Sequence, residues 1–251
     1  MRFYLGVPEP SWLARSDVPL FVSAVRLRRI RRKLPRARCR WALDSGGFSE
    51  ISAHGTWKIT PEQYAAEATR WQEAIGNLDW AAIQDWMCEP HMLAKTGKPV
   101  REHQELTIQS LLRLREIAPA VPWAPVVQGW TVDEYVQCID MYLAAGVDLR
   151  AEPVVGVGSV CRRQGTLEGD RIMRAIAERG IRVHAFGVKR YGLHLFGPVI
   201  ASSDSMAWSF VARRRKIRLP KCEHKNTCQN CYRFAMHWYR DLLAKLGDGA
   251  A

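Results

Sequence analysis

The chain has 251 residues, of which 47% are apolar and 25% charged, and its formal net charge is +12. This length suits one large core, so we expect one α/β domain or a domain with an appendage. A membrane span is not expected, because the chain has no run of about eighteen apolar residues. The N-terminal residues lack the pattern of a signal peptide, and we therefore expect a cytoplasmic protein.

The positive charge is concentrated in two segments. The first, 26-RLRRIRRKLPRARCR-40, contains nine basic residues and no acidic residue, and the second is 213-RRRKIRLPK-221. A single basic run is often only a solvated face, but two runs favour a polyanionic partner, namely nucleic acid. A membrane surface is less favoured, because neither run continues into a long amphipathic helix.

Short segments rich in β-branched and aromatic residues alternate with helical patterns along most of the chain. The predicted strands are 2–7, 19–25, 40–45, 79–86, 123–129, 153–159, 181–188 and 198–203. The predicted helices are 60–75, 103–118, 131–146, 167–180 and 230–246. In the first of these, Thr60 can cap the helix, Pro61 suits its first position and Gln63 completes a capping box.

Eight strands alternating with helices predict an α/β fold, a (β/α)8 TIM barrel, with a doubly wound open sheet as the alternative. The open sheet lacks support, because no Gly-rich dinucleotide or phosphate-binding fingerprint is present. The last part of the chain breaks the alternation. We therefore predict a barrel over residues 1–210 and an appendage over 211–251.

Polar residues cluster where several predicted strands end. They are Asp44 and Ser45 before Gly46, Gln84 and Asp85, Gln128 and Gly129, Gly156, Gly158 and Ser159, and Ser203, Asp204 and Ser205. Any one could be a turn or cap residue, but the carboxyl ends of barrel strands converge on one face and build active sites there. Two carboxylates can divide into a nucleophile and a general acid/base, as displacement at an anomeric carbon requires.

Several motifs resemble those of tRNA-guanine transglycosylases. They are 43-LDSGGF-48, 126-VVQGW-130, and 186-FGV-188 followed by 203-SDS-205. Within that superfamily, 4-YLGVPEPSWL-13, 155-VGVGSVCRRQG-165 and 202-SSDSMAWS-209 look like the DpdA-type enzymes. Those are similar barrels, known from phage genomes and bacterial DNA-modification islands, that exchange guanine in DNA for a 7-deazaguanine such as preQ0.

The resemblance implies a role for each matching residue. Asp204 matches the nucleophile that holds the covalent sugar, and Asp44 matches the acid/base residue. Asp85 and Gln128 match residues that hydrogen-bond the base. The base pocket would also include Ser45, Gly46, Gly129, Gly156 and Gly158. Ser159 stands where the tRNA enzymes carry a Glu, so recognition of the base substituent is expected to differ.

The polymer and the exchange chemistry leave alternatives open. Insertion of a deazaguanine into tRNA is the first, a non-catalytic nucleic-acid-binding barrel the second and a hydrolytic glycosidase the third. Action on DNA would require the target base to leave the stack. The nucleic-acid-binding residues would be Arg162, Arg163, Arg213, Arg214 and Arg215. The other partner would be the 7-deazaguanine base, and a homodimer is left open.

The segment 222-CEHKNTCQNC-231 predicts a structural zinc site, because four ligands leave no open position. The expected ligands are Cys222, His224, Cys228 and Cys231, with His237 as the alternative fourth ligand. His184 lies inside a predicted strand, and we interpret it as a buried, hydrogen-bonded residue rather than a catalyst.

Overall fold

The strands of the protein form one all-parallel sheet that curves into a nearly closed barrel, as a computed structural model describing residues 1–247 shows. The first five are β1 (Arg2–Val7), β2 (Leu20–Ser23), β3 (Trp41–Asp44), β4 (Leu78–Ala82) and β5 (Trp123–Ala124). The others are β6 (Val126–Val127), β7 (Val155–Val157), β8 (Val183–Ala185) and β9 (Ser202–Ser205). Each strand is short and largely buried, as a parallel sheet covered by helices requires.

The sheet order is β5-β4-β3-β2-β1-β9-β8-β7-β6. The two outer strands, β5 and β6, belong to one chain segment that Pro125 interrupts. Proline has no N–H group for the ladder, so the predicted fifth strand is divided into a half that pairs with β4 and a half that pairs with β7. The predicted barrel is therefore confirmed, with nine strands by hydrogen bonding in place of eight.

Helices follow most strands and surround the barrel. They are α1 (Ala24–Leu27), α2 (Gly47–His54), α3 (Pro61–Ile75), α4 (Pro90–Thr96), α5 (Val100–Ile117), α6 (Val132–Ala144), α7 (Leu167–Ala177), α8 (Arg190–Phe196), α9 (Ala207–Arg214) and α10 (Tyr232–Gly247). The capping box predicted for α3 is confirmed. Thr60 accepts from the Gln63 amide, and the Gln63 side chain accepts from the Thr60 amide.

Sequence expectations differ from the structure at several element boundaries and in the number of helices. The last predicted strand begins too early, because Gly197–Val199 form a 3-10 turn and β9 starts at Ser202. Five helices, namely α1, α2, α4, α8 and α9, have no counterpart among the predicted ones. All five have at most eight residues, too short for an apolar repeat to reveal itself.

The C-terminal segment packs against the barrel. Side chains of α10, among them Phe234, Tyr239 and Leu242, belong to the same hydrophobic cluster as the barrel core, and Trp12 stacks on Trp208 of α9. The division of the chain after residue 210 stays a proposal, and α9 runs across that position. Residues 248–251 of the predicted appendage lie outside the described residues. In the described part of the chain, no helix offers the long apolar stretch that crossing a membrane requires.

Candidate active site and metal centre

Asp44 ends β3 and is held by the turn that follows. The Gly46 amide donates a hydrogen bond of 3.0 Å to Asp44 Oδ1. Gly46 has a φ of 83°, a left-handed conformation that favours glycine, and this turn lets α2 begin at once. Burial raises the pKa of Asp44, and the negative charge of Asp204 acts in the same direction.

Asp85 follows β4 and lies beside the Asp44 turn. Its Oδ1 accepts from Ser45 Oγ at 3.5 Å and its Oδ2 from Gln128 Nε2 at 2.5 Å. Burial raises the pKa of Asp85 to about 7, and the charges of Asp44 and Glu89 act in the same direction. A carboxyl with such a pKa changes its charge near neutrality, as functional-site carboxyls often do.

Gln128 is the centre of a buried hydrogen-bond network. Ser159 Oγ lies 2.8 Å from both Gln128 Oε1 and Glu89 Oε2, and can donate to either. The Gln128 carbonyl accepts from Gln104 Nε2 at 2.8 Å. Sequence reasoning missed Glu89, which lies beyond the fourth predicted strand and is separated from Asp85 by Trp86, Met87 and Cys88. A carboxylate therefore lies next to Ser159 in the buried network.

At three glycines a side chain would collide with neighbouring atoms. A Cβ at Gly158 would overlap the side-chain amide of Gln128, and a Cβ at Gly156 would overlap the ring of Phe186. A Cβ at Gly129 would lie 2.9 Å from the Tyr135 amide nitrogen. Gly158 thus keeps Gln128 in place, whereas Gly129 allows α6 to approach β6 closely.

Asp204 lies on β9 and is 7% exposed. Contacts from β8 and from the turn that follows it orient its carboxylate. The Gly187 amide donates to Asp204 Oδ1 at 2.8 Å, and His184 Nε2 lies 3.4 Å from the same oxygen. The flanking serines bond elsewhere: Ser203 Oγ donates to the Ala185 carbonyl, and Ser205 Oγ accepts from the Ala207 amide that opens α9. The serines therefore fix the strand ends and leave the carboxylate to Gly187 and His184.

The arginines predicted to contact nucleic acid divide into two groups. Arg162 is exposed, with its guanidinium 5.6 Å from the centre of the exposed Phe48 ring. Arg213, Arg214 and Arg215 are exposed at the end of α9. The remaining arginine, Arg163, is 7% exposed.

Neighbouring side chains engage the charge of Arg163. Its guanidinium stacks on Trp130 at 4.1 Å and pairs with Glu168 at 2.6 Å. The local packing of the loop after β7 thus engages its charge, and Arg162 is the solvent-facing arginine of this loop.

A cavity of about 950 Å³ opens at the other end of the barrel. Its lining includes Arg2, Asp79, Trp80, Arg182 and Ser202, which lie at or near the amino ends of strands. Because Asp44, Asp85, Gln128 and Asp204 belong to carboxyl ends, this cavity is separate from the candidate site.

The four predicted metal ligands come together between α9 and α10. The ligand atoms of Cys222, His224, Cys228 and Cys231 all lie within 4.8 Å of one another, so the cluster could bind a metal ion. Burial acts to raise the pKa of Cys231, but hydrogen bonds from the Phe234 amide and from His224 leave that pKa lower than usual. A thiol that ionises readily suits a metal ligand.

The alternative fourth ligand, His237, is exposed on α10. It lines a surface depression together with Leu219, Arg233 and Arg240, and it is not part of the cluster. The structure therefore brings together the compact set that includes His224.

Comparison with solved structures finds a distant likeness to a putative isomerase from Sinorhizobium meliloti in an open loop conformation. The identity is 16%, the TM-score 0.37, and the match covers 81% of this chain and 49% of that chain. No curated protein matches the chain. The family model of DpdA, "DeoxyPurine in DNA protein A", matches residues 1–248, which is nearly the whole sequence. The chain therefore belongs to the DpdA family.

Proposed function

We propose that the protein is a transglycosylase that replaces guanine in DNA by a 7-deazaguanine, such as preQ0 or a derivative. Family membership indicates a role in 7-deazaguanine modification of DNA. The observation that carries the finer proposal is the convergence of Asp44, Asp85, Gln128 and Asp204 at the carboxyl ends of four barrel segments. Such a set offers a nucleophile, a proton donor and a base-binding edge in one place.

The first half of the exchange forms a covalent intermediate. A carboxylate oxygen of Asp204 attacks C1′ of the target deoxyribose, the C1′–N9 bond breaks, and its electron pair leaves with guanine. Asp44 supplies the proton that the departing base takes up. Burial and the negative charge of Asp204 both raise the pKa of Asp44, which favours the protonated form that a proton donor needs.

The second half returns Asp204 to its starting state. The incoming deazaguanine gives its N9 proton to Asp44, its N9 attacks C1′, and the bond from C1′ to the Asp204 oxygen breaks. Asp85 presents a carboxylate to the donor edge of either base, and Gln128 holds that carboxylate at 2.5 Å. The same pocket can therefore hold the leaving and the entering base, because both have the guanine hydrogen-bonding edge.

DNA would approach across exposed basic residues near the site. Arg162 follows β7 and Arg213 to Arg215 end α9, the helix that starts three residues after Asp204. Phosphate contacts from these side chains would position the strand without reading its sequence. The target base would enter the barrel after leaving the stack.

The metal ion in this proposal is a structural zinc held by Cys222, His224, Cys228 and Cys231. Zn–S bonds of about 2.3 Å in a tetrahedron place two sulfurs about 3.8 Å apart. The Sγ atom of Cys222 lies 3.8 Å from those of both Cys228 and Cys231, and His224 Nε2 lies 3.5 Å from Cys228 Sγ. These spacings fit a closed tetrahedral site. A bound zinc would fix the connection between α9 and α10.

The direct test offers labelled preQ0 with either guanine-containing duplex DNA or tRNA. We expect the label to enter DNA, and an Asp204→Asn variant to lose at least about a thousandfold in rate, as removal of a nucleophile usually does. Asp79→Asn is the matched control, because Asp79 pairs with Arg2 and Arg40 at the opposite end of the barrel. Its incorporation rate should equal that of the wild type.

Three outcomes would contradict the proposal. Incorporation into tRNA alone would replace DNA by tRNA as the substrate. Release of guanine without incorporation would indicate a hydrolase. Full activity of Asp204→Asn would remove Asp204 from the role of nucleophile.

A further inference from the structure

Gly187 and His184 contact the same oxygen of the Asp204 carboxylate. The Gly187 amide lies 2.8 Å from Oδ1 and His184 Nε2 lies 3.4 Å from it. Donors on one oxygen fix the rotation of a carboxylate and draw negative charge towards that oxygen. The second oxygen, Oδ2, is then the one that remains available to a substrate carbon.

His184 is enclosed inside the barrel and cannot change its direction easily. It is fully buried on β8. The aromatic rings packed around it, with centroids 4.6 to 5.9 Å away, are those of Tyr4, Phe21, Trp80 and Phe186. Its Nε2 atom makes no hydrogen bond within normal limits in the described structure, although a buried polar atom needs a partner. Asp204 Oδ1 lies 3.4 Å from this nitrogen.

The partner of the other ring nitrogen determines which nitrogen carries the proton. His184 Nδ1 lies 2.9 Å from Ser202 Oγ. If Nδ1 donated its proton there, the lone pair of Nε2 would face a carboxylate at 3.4 Å, which is repulsive. If the Ser202 hydroxyl donates to Nδ1, the Nε2–H bond faces Oδ1, which is attractive. The second arrangement is therefore preferred.

We propose that His184 is a positioning residue of the exchange reaction, which directs Asp204 Oδ2 towards C1′ through a contact between His184 Nε2–H and Asp204 Oδ1. Ser202 maintains the required tautomer. This inference rests on the proposed function, because it assigns Asp204 the role of nucleophile. It adds which of its two oxygens forms the bond and which residues select that oxygen.

The contact would serve both halves of the reaction. In the first, Oδ2 forms the bond to C1′ while guanine departs, and Oδ1 becomes the carbonyl oxygen of the ester. In the second, N9 of the deazaguanine displaces Oδ2, and the negative charge returns to the carboxylate. Donors at Oδ1 favour that return, so they make Asp204 a better leaving group. His184 keeps its proton throughout.

A matched pair of substitutions tests the role of His184. The amide nitrogen of Gln reaches about as far as Nε2 of His and can still donate towards Asp204, whereas that of Asn reaches only towards Ser202. We expect His184→Asn to lower kcat about 10–100-fold, the usual effect of losing a group that orients a functional side chain. The KM for DNA should stay unchanged. His184→Gln should recover most of the rate.

Single-turnover measurements of the covalent protein–DNA adduct separate positioning from folding. His184→Asn should slow both adduct formation and its breakdown by preQ0, at an unchanged adduct yield per folded molecule. If His184→Asn does not fold, Ser202→Ala replaces it, with an expected loss of a few-fold in kcat at an unchanged melting temperature. A wild-type kcat in the folded variant would overturn the inference.

Equal losses in His184→Gln and His184→Asn would also overturn it, because they would indicate a packing role only. Failure of the proposed function has a different signature. In that case Asp204→Asn keeps its activity, or no adduct forms in the wild type, whatever happens at His184.

Discussion

At the scale of single residues, burial controls the protonation of two carboxyl groups in the candidate site. Asp44 and Asp85 both have raised pKa values, and in both cases burial is the largest cause. Gln128 nevertheless donates to Asp85 Oδ2, which favours the ionised form. Asp85 is therefore balanced between two charge states near neutral pH, and substrate can shift that balance.

Base binding should follow the charge of Asp85. Its folded pKa is raised to about 7, so the carboxyl is protonated below that pH and ionised above it. The guanine edge presents N–H donors, which need the ionised form. The KM for the deazaguanine base should therefore fall as pH rises through about 7. Asp85→Asn should raise that KM and remove its pH dependence. A KM that stays constant from pH 6 to 8 in the wild type would contradict this role.

The same shift has an opposite consequence for folding. An unfolded Asp has a pKa near 4. Between about pH 4 and 7 the folded chain therefore binds the extra proton, and the contribution of Asp85 to stability falls as pH rises across that window. Asp85 therefore lowers the stability of the fold at neutral pH, a cost that its proposed role in base recognition would explain.

Gly158 leaves the room that the Gln128 side chain occupies, so we expect it to affect base binding. A methyl group at this position would overlap the Gln128 amide, which holds Asp85 and contacts Ser159. We expect Gly158→Ala to raise the KM for the base by at least about tenfold, since a displaced Gln128 loses two hydrogen bonds worth about 1 kcal/mol each. Gly165→Ala is the control in steady-state assays, because its nearest neighbour lies at 3.8 Å. Equal KM values in the two variants would contradict this prediction.

At the scale of elements, sequence patterns predicted the strands and long helices well and the side-chain network poorly. The strands and the long helix α3 have strong signals, and the capping box of α3 follows from Thr60 and Gln63 themselves. Glu89 and the contact between His184 and Asp204 depend on elements that are distant in the chain. No local pattern specifies such contacts, because they arise only when the barrel closes.

The short helix α9 connects the strand that carries Asp204 with the second basic segment. Its arginines come into place because Ser205 Oγ accepts from the Ala207 amide at the helix start, directly after Asp204. The composition of the chain indicated a nucleic-acid partner, but only the position of α9 brings the second basic segment near the site. Arg163 illustrates the limit of sequence reasoning, since Glu168 and Trp130 engage its charge.

The salt dependence of DNA binding tests the role of α9. Replacing Arg213, Arg214 and Arg215 by Gln should weaken binding to all sequences alike. It should also reduce the slope of log K against log salt by about 0.9 for each lost phosphate contact. Arg150→Gln removes one charge that Asp148 already pairs, and it should leave the slope unchanged. Fluorescence anisotropy of labelled duplex across a salt series measures both. An unchanged slope in the triple variant would exclude these phosphate contacts.

At the scale of the whole molecule, the C-terminal segment completes the barrel. Tyr239 of α10 donates to the Phe3 carbonyl on β1, and Trp12 meets Tyr232 edge to face. Between α9 and α10 the chain has little regular structure, and the Cys/His cluster gathers it. The cluster therefore lies between α9, which follows the strand of Asp204, and α10, which packs on the first strand.

Metal removal should consequently affect stability before chemistry. If a bound ion contributes about 3 kcal/mol, its loss lowers the melting temperature by about 6–12 °C in a chain of this size. His224→Ala should lose metal to a chelator at a concentration at least about tenfold lower than the wild type. His237→Ala should behave as the wild type, because His237 is exposed outside the cluster. Elemental analysis during chelator titration measures both, with about one zinc per chain expected at the start. Zinc well below one equivalent, with no change in melting on chelation, would show that the thiols hold the segment together without an ion.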